Sequence, residues 1–78
     1  MNPFQFAEAV AAEVRAEMGR QNKSRADLAA ALGMTVQTAA TRLSGVQPFD
    51  MIELATVAEW LNVDPERLTP SSTEQVAS

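Results

Sequence analysis

A compact all-α domain of five helices is what this sequence predicts, and three observations carry the prediction. Apolar residues recur every three or four positions, as in Phe6, Val10, Val14 and Met18, the spacing that lines one face of a helix. Residues that cap helix starts, Ser24, Thr35 and Asp50, are each followed by a stop residue, Gly33, Gly45 and Asn62. The length, 78 residues, suits one core: such a chain buries only about 60% of the surface its unfolded form exposes.

Helix 1 is expected from Phe4 to Met18. Pro3 fits a helix start, Ala7 and Ala11 widen the apolar stripe, and Glu8, Glu13 and Glu17 have positions open to water. Gly19 weakens its end and Asn22 suits the turn that follows. Helix 2 begins after Ser24 as N-cap, with Asp27 three residues later as a short variant of the capping box. Leu28, Ala29 and Leu32 form its inner face, and Gly33 ends it in the left-handed conformation that glycine adopts without steric cost. A helix this short would hardly survive alone and depends on its neighbours.

Thr35 caps helix 3, expected from Val36 to Ser44, with Met34 as a staple-like apolar residue before the cap. Ala39 and Leu43 point inward, flanked by Val36 and Ala40, and Gly45 ends the helix. Helices 2 and 3, separated only by Gly33, Met34 and Thr35, make a tight corner, the physical content of a helix-turn-helix at the centre of the chain. Phe49 is expected to plug the core. Asp50 and Glu53 form a capping box for helix 4, whose apolar face is Met51, Leu54, Val57, Ala58 and Leu61, with Trp60 beside it. Asp64, Pro65 and Glu66 read as cap, first residue and first-turn acid of a brief last helix reaching Leu68. The domain is thus expected over residues 1–69, and the tail 70–78, with almost nothing to bury, is expected to be disordered.

Composition narrows the chemistry. With neither cysteine nor histidine there is no disulfide, no thiolate or ordinary zinc site, and none of the usual general-base and nucleophile pairs. The acids are scattered over helices and converge on no pocket, so an enzyme is not expected, nor any cofactor. No stretch approaches the ~18 apolar residues of a membrane span, and the start carries acids where a signal peptide carries positive charge. A cytoplasmic protein with no membrane partner is expected. The net charge of −4 argues mildly against a nucleic-acid partner, but its distribution matters more. Between Arg15 and Gln47 five bases (Arg15, Arg20, Lys23, Arg25, Arg42) face two acids, and from Pro48 onward Arg67 alone faces six. The chain has a basic middle and an acidic end.

The segment SRADLAAALGMTVQTAATRLSG resembles the helix-turn-helix of the lambda-type repressor and Cro superfamily, which includes compact regulators of phages and actinobacteria. The likeness continues through PFDMIELATVAEWLNVDPERL and so covers about Val14 to Leu68. Leu28–Ala29, Leu32–Gly33, the Thr35 cap and Gly45 carry it. The resemblance implies a five-helix domain in which Ala29 is the small contact residue between crossing helices. Three positions depart from the pattern: Arg25 stands where glutamine is frequent, Ala39 replaces a branched residue, and the apolar position expected at Arg42 has moved to Leu43. The corner is therefore expected to pack differently.

The implied function is a sequence-specific, double-stranded-DNA-binding transcriptional regulator of the phage-repressor type, acting by promoter occlusion. An antitoxin or excision-type operator binder uses the same domain, and a protein-interaction module without operator binding is the reading from a different class. With helix 3 in the major groove, Val36, Gln37, Ala40 and Thr41 are the candidate base readers. Gln37 stands out, because its amide both donates and accepts toward adenine. Val36 and Ala40 either meet a thymine methyl or complete the core edge. Lys23, Ser24, Arg25 and Thr35 cluster at two helix starts as candidate phosphate contacts, and Arg42 and Ser44 extend them on the other side. Arg15 is expected to cover the core with its stem while its guanidinium pairs with Glu59 or another acid near helix 1. Trp60 either seals the core or anchors an interface. The expected partners are an operator duplex and a second copy of the chain on DNA, with the acidic end open to a protein partner.

Overall fold

The computed structural model describes residues 1–70. The chain folds as four α-helices, α1 Pro3–Arg20, α2 Arg25–Leu32, α3 Val36–Leu43 and α4 Met51–Leu61, followed by a 3₁₀ turn at Pro65–Leu68. There is no strand among the described residues, and no helix in them is long and apolar enough to cross a membrane. Of the tail 70–78, expected to be disordered, all but Pro70 lies outside the described residues.

Local capping chemistry sets the boundaries. Ser24 Oγ accepts from Asp27 N at 3.2 Å while Ser24 N donates to Asp27 Oδ2 at 2.8 Å, and Asp50 and Glu53 repeat the exchange at α4. Each pair satisfies two backbone donors that a helix start leaves without a partner. A third box, Asn2 with Gln5, starts α1 one residue earlier than expected. Its reciprocal amide bonds lie in a pair that the sequence reading passed over. α1 also runs through Gly19 to Arg20, since a glycine near a helix end weakens the helix without stopping it.

Three of the four α-helices end alike. In α1, α2 and α4 the chain turns left-handed at Asn22, Gly33 and Asn62, and the next amide reaches back to close the last turn: Lys23 N to Met18 O at 2.9 Å, Met34 N to Ala29 O at 3.0 Å, Val63 N to Ala58 O at 2.9 Å. This is the Schellman pattern, and Met34 and Val63 pack against the core as its apolar partner does. At α3 the left-handed residue is Gly45. A side chain there would meet the α1 backbone at Glu8 Cα, 3.0 Å away, so glycine answers both the turn and the close approach.

The core joins Val10, Val14 and Met18 of α1, Leu28 and Ala29 of α2, Ala39 and Leu43 of α3, Val57, Ala58 and Leu61 of α4, and Leu68 of the final turn. Leu43 and not Arg42 faces inward, as the shifted apolar position required. Ala29 and Ala39 are small enough to let α2 and α3 pack closely across the three-residue connection.

Several expectations are corrected. Leu32 and Leu54 are only partly buried against the core. Met51 is 87% exposed and Phe6 45%, because their stripes run one turn beyond the neighbours that could cover them. Glu17, expected in water, is buried, since Arg20, Gln21 and Arg67 converge on it. The last element is a 3₁₀ turn, closed by Arg67 N to Asp64 O at 2.8 Å; four residues are too few for an α-helical ladder.

Candidate functional site

The candidate base readers lie on α3, whose start is fixed by Thr35. Its Oγ1 accepts from Thr38 N at 3.1 Å and donates to Thr38 Oγ1 at 2.9 Å. Gln37 is exposed and Val36 is 48% exposed, so both present side chain to water at the first turn. Ala40 and Thr41 are half-buried one turn on. The Thr41 hydroxyl donates to the Gln37 carbonyl at 2.8 Å, leaving its methyl and the acceptor side of its oxygen for any outside contact.

The candidate phosphate contacts separate into two groups. Lys23, Ser24 and Arg25 stand together at the start of α2 and Thr35 at the start of α3. Arg25 is exposed at the first helical position of α2. Lys23 is half-buried with Nζ 4.8 Å from the centre of the Trp60 ring, a cation–π contact. Asp27 stands in the same first turn, its carboxyl held below the usual aspartate range by the Ser24 hydrogen bonds and, more weakly, by Lys23. Among the described residues, ion pairs take up Arg20, Arg42 and Arg67 and leave Arg15, Lys23 and Arg25 without a carboxylate partner.

The second group is engaged by other residues of the chain. Arg42 donates from Nε and Nη2 to the two carboxylate oxygens of Glu53, at 3.0 and 3.2 Å. Ser44 Oγ donates to the Thr41 carbonyl at 2.9 Å and accepts from Val46 N at 3.3 Å. Arg15 donates from Nη1 to the Leu43 carbonyl, tying α1 to the end of α3 and correcting the expected pairing with Glu59. Trp60 is half-buried and packs against the core under Lys23.

Sequence reasoning passed over Thr38, the Thr35 partner, and Glu53 as the Arg42 partner. The three-residue interval of Thr35 and Thr38 could have revealed the first. Nothing local signals an ion pair across eleven positions.

No family model matches the chain, and no curated protein does. The chain is similar in structure to CoII HppE in complex with substrate. That solved structure superposes with a TM-score of 0.74 at 25% sequence identity, over 82% of this chain and 36% of that one. The present chain thus spans about a third of that protein's length. Cobalt and substrate belong to that protein; among the described residues here no group of three or more His, Cys, Asp or Glu side chains could hold a metal ion.

Proposed function

We propose that this chain is a sequence-specific double-stranded-DNA-binding regulator in which α2, Gly33–Thr35 and α3 act as a helix-turn-helix and the 3₁₀ turn Pro65–Leu68 serves as the fifth helix. The observation that carries the reading is the first turn of α3. Gln37 and Val36 are exposed there, and the start of the preceding helix α2 carries Lys23 and Arg25 without a carboxylate partner among the described residues. An exposed amide with one donor and one acceptor group suits a base edge, and the flanking cations suit the phosphate backbone. Val36, Ala40 and the methyl of Thr41 complete the reading face. Ser24 and Thr35 bring two capped helix starts to the phosphates.

Binding is noncovalent, without cofactor or turnover, and regulates by occluding a promoter in the cytoplasm. One short reading helix covers few bases, so two copies on paired half-sites, with centres about 34–36 Å apart, supply affinity and discrimination together. Selection of duplexes from a randomised pool by the purified chain tests this: an enriched motif with two half-sites supports it, and a pool that stays unenriched refutes it. Genomic neighbours discriminate among these regulators: an integrase and a divergently oriented regulator favour phage-type control, and an adjacent toxin favours an antitoxin.

A second reading, a protein-interaction module without operator binding, is favoured by the overall acidity and by the bare apolar side chains of Met51 and Ile52. The same selection decides between the two.

A further inference from the structure

The basic side chains of this chain are held in different ways. Arg20, Arg42 and Arg67 reach carboxylates, at Glu17 and Glu53, and Arg15 is taken up by the Leu43 carbonyl. Lys23 instead lies over an aromatic face. Its Nζ stands 4.8 Å from the centre of the ring of Trp60, the chain's one tryptophan, inside the ~6 Å within which such a face attracts a cation. Both residues are half-buried.

Everything around this contact is fixed. The Lys23 amide donates to Met18 O at 2.9 Å and closes α1, Asn22 before it makes the left-handed turn, and Ser24 after it is tied into the capping box with Asp27. On the other side Trp60 packs against the core, next to the buried Leu61. Asp27 does not compete for the ammonium. Its carboxylate accepts from Ser24 N at 2.8 Å and forms no ion pair with Lys23. The choice of partner has a chemical consequence. A carboxylate brings an opposite net charge and cancels the cation it holds, whereas a ring face attracts through its quadrupole and brings no net charge. The ammonium therefore keeps its full charge, and donors, for an anion outside the molecule.

We infer that Trp60 is a positioning residue whose ring holds the Lys23 ammonium in place for a phosphate of the DNA backbone, ordering the long stem without cancelling its charge. The inference rests on the proposed function for the phosphate. It gives Trp60 a task beyond closing the core. A lysine that waves freely in solvent loses rotamer freedom when it settles on a phosphate, and each such side chain lowers affinity. A stem already ordered on the ring avoids that loss. Removing the ring is expected to weaken binding about two- to tenfold while the number of phosphates contacted, and with it the salt slope, stays as it was.

The experiment has one arm without DNA and one with it. In the first, nuclear magnetic resonance of the full chain reads the Lys23 ε-methylene protons, which the ring face shifts upfield in the parent. The shift is expected to vanish in Trp60→Leu and to return in part in Trp60→Phe, with folding checked by circular dichroism and thermal melting. In the second, a short duplex of arbitrary sequence is titrated at several salt concentrations below physiological, since phosphate contacts do not depend on sequence. Lys23→Gln is expected to lower the salt slope by about one. Trp60→Leu is expected to weaken binding at the parental slope, Trp60→Phe to recover most of the loss, and Trp60→Leu added to Lys23→Gln to weaken binding no further. An unshifted ε-methylene in the parent, a Lys23→Gln slope equal to the parental one, or the same Trp60→Leu loss with and without Lys23 overturns the inference and leaves the proposed function standing. A parent that shows the shift but binds no duplex overturns the two together.

Discussion

Arg42 and Glu53 form a two-point ion pair that fastens the last turn of α3 to the first turn of α4. Glu53 Oε1 also accepts from Asp50 N at 3.0 Å, so one carboxylate completes a helix cap and grips a neighbouring helix. Both side chains are less than a fifth exposed, and the guanidinium fork matches the two oxygens as a lysine could not. The pair fixes α3 against α4 and so sets how the exposed first turn of α3 is presented.

Arg42→Ala is expected to destabilise the fold by about 1–3 kcal/mol, because it leaves a half-buried carboxylate short of its charged donor. Arg42→Lys recovers part of that. Urea unfolding measures both, and a midpoint unchanged in Arg42→Ala contradicts a fastening role. If Arg42 acts on DNA only through this pair, the folded variant keeps the parental salt dependence of binding.

Acid should loosen the same joint. The Arg42 hydrogen bond, opposed by burial and helped by the Asp50 amide, holds the Glu53 carboxyl below the ordinary glutamate value of 4.5. Gln21 and Arg20 lower Glu17 likewise. With the folded values below the unfolded ones, this stabilisation is fully present above the ordinary value and is lost as pH falls through the folded values. Urea midpoints are expected to be flat from about pH 7 to about pH 5 and to drop below it. Glu53→Gln should shallow that drop; an unchanged acid profile assigns the loss to other groups.

Leu43→Ala is expected to cost about 2–5 kcal/mol, enough to unfold much of a marginally stable small domain. Leu43 sits in the core beside Ala39. Met51→Ala, although it lies on an equally regular stripe, should cost little, since Met51 is already in water. Thermal melting of the two variants checks the contrast, and equal losses contradict the described burial.

The contrast also marks what the sequence could and could not disclose. Ser24 with Asp27, Asp50 with Glu53, Gly33 and Asn62 were legible because a cap acts within three or four residues of itself. Periodicity told which side of α4 faces inward, and Val57, Ala58 and Leu61 follow it. It could not tell how far along the helix the neighbours extend, and so it placed Met51 inside. Arg15 was misplaced and the ion pair of Arg42 was missed for a related reason: their partners, the Leu43 carbonyl and Glu53, stand 28 and 11 positions away. Only the packing of helices brings them together. The exposed first turn of α3 was legible, because the Thr35 cap and the inward Ala39 and Leu43 fix its outward face.

Arg25→Ala is expected to weaken binding to good and poor duplexes nearly alike and to lower the salt slope by about one unit, as loss of a single phosphate contact does. Titrations at several salt concentrations with correctly folded protein measure this. An unchanged slope removes Arg25 from the phosphate contacts and leaves Lys23 to be tested next.

Sequence discrimination by α3 is tested most directly by titrating parent and Gln37→Ala against a selected duplex and every single-base replacement of it, at one fixed salt concentration. Gln37 is neutral and exposed, so it adds nothing to the long-range attraction of phosphate, while its amide can favour one base edge by about 1–3 kcal/mol. The account predicts that the parent discriminates among the replacements and that Gln37→Ala flattens preference at one base pair in each half-site, leaving nonspecific binding unchanged. A parent that binds every duplex alike, or a Gln37→Ala loss spread evenly over all positions, contradicts it.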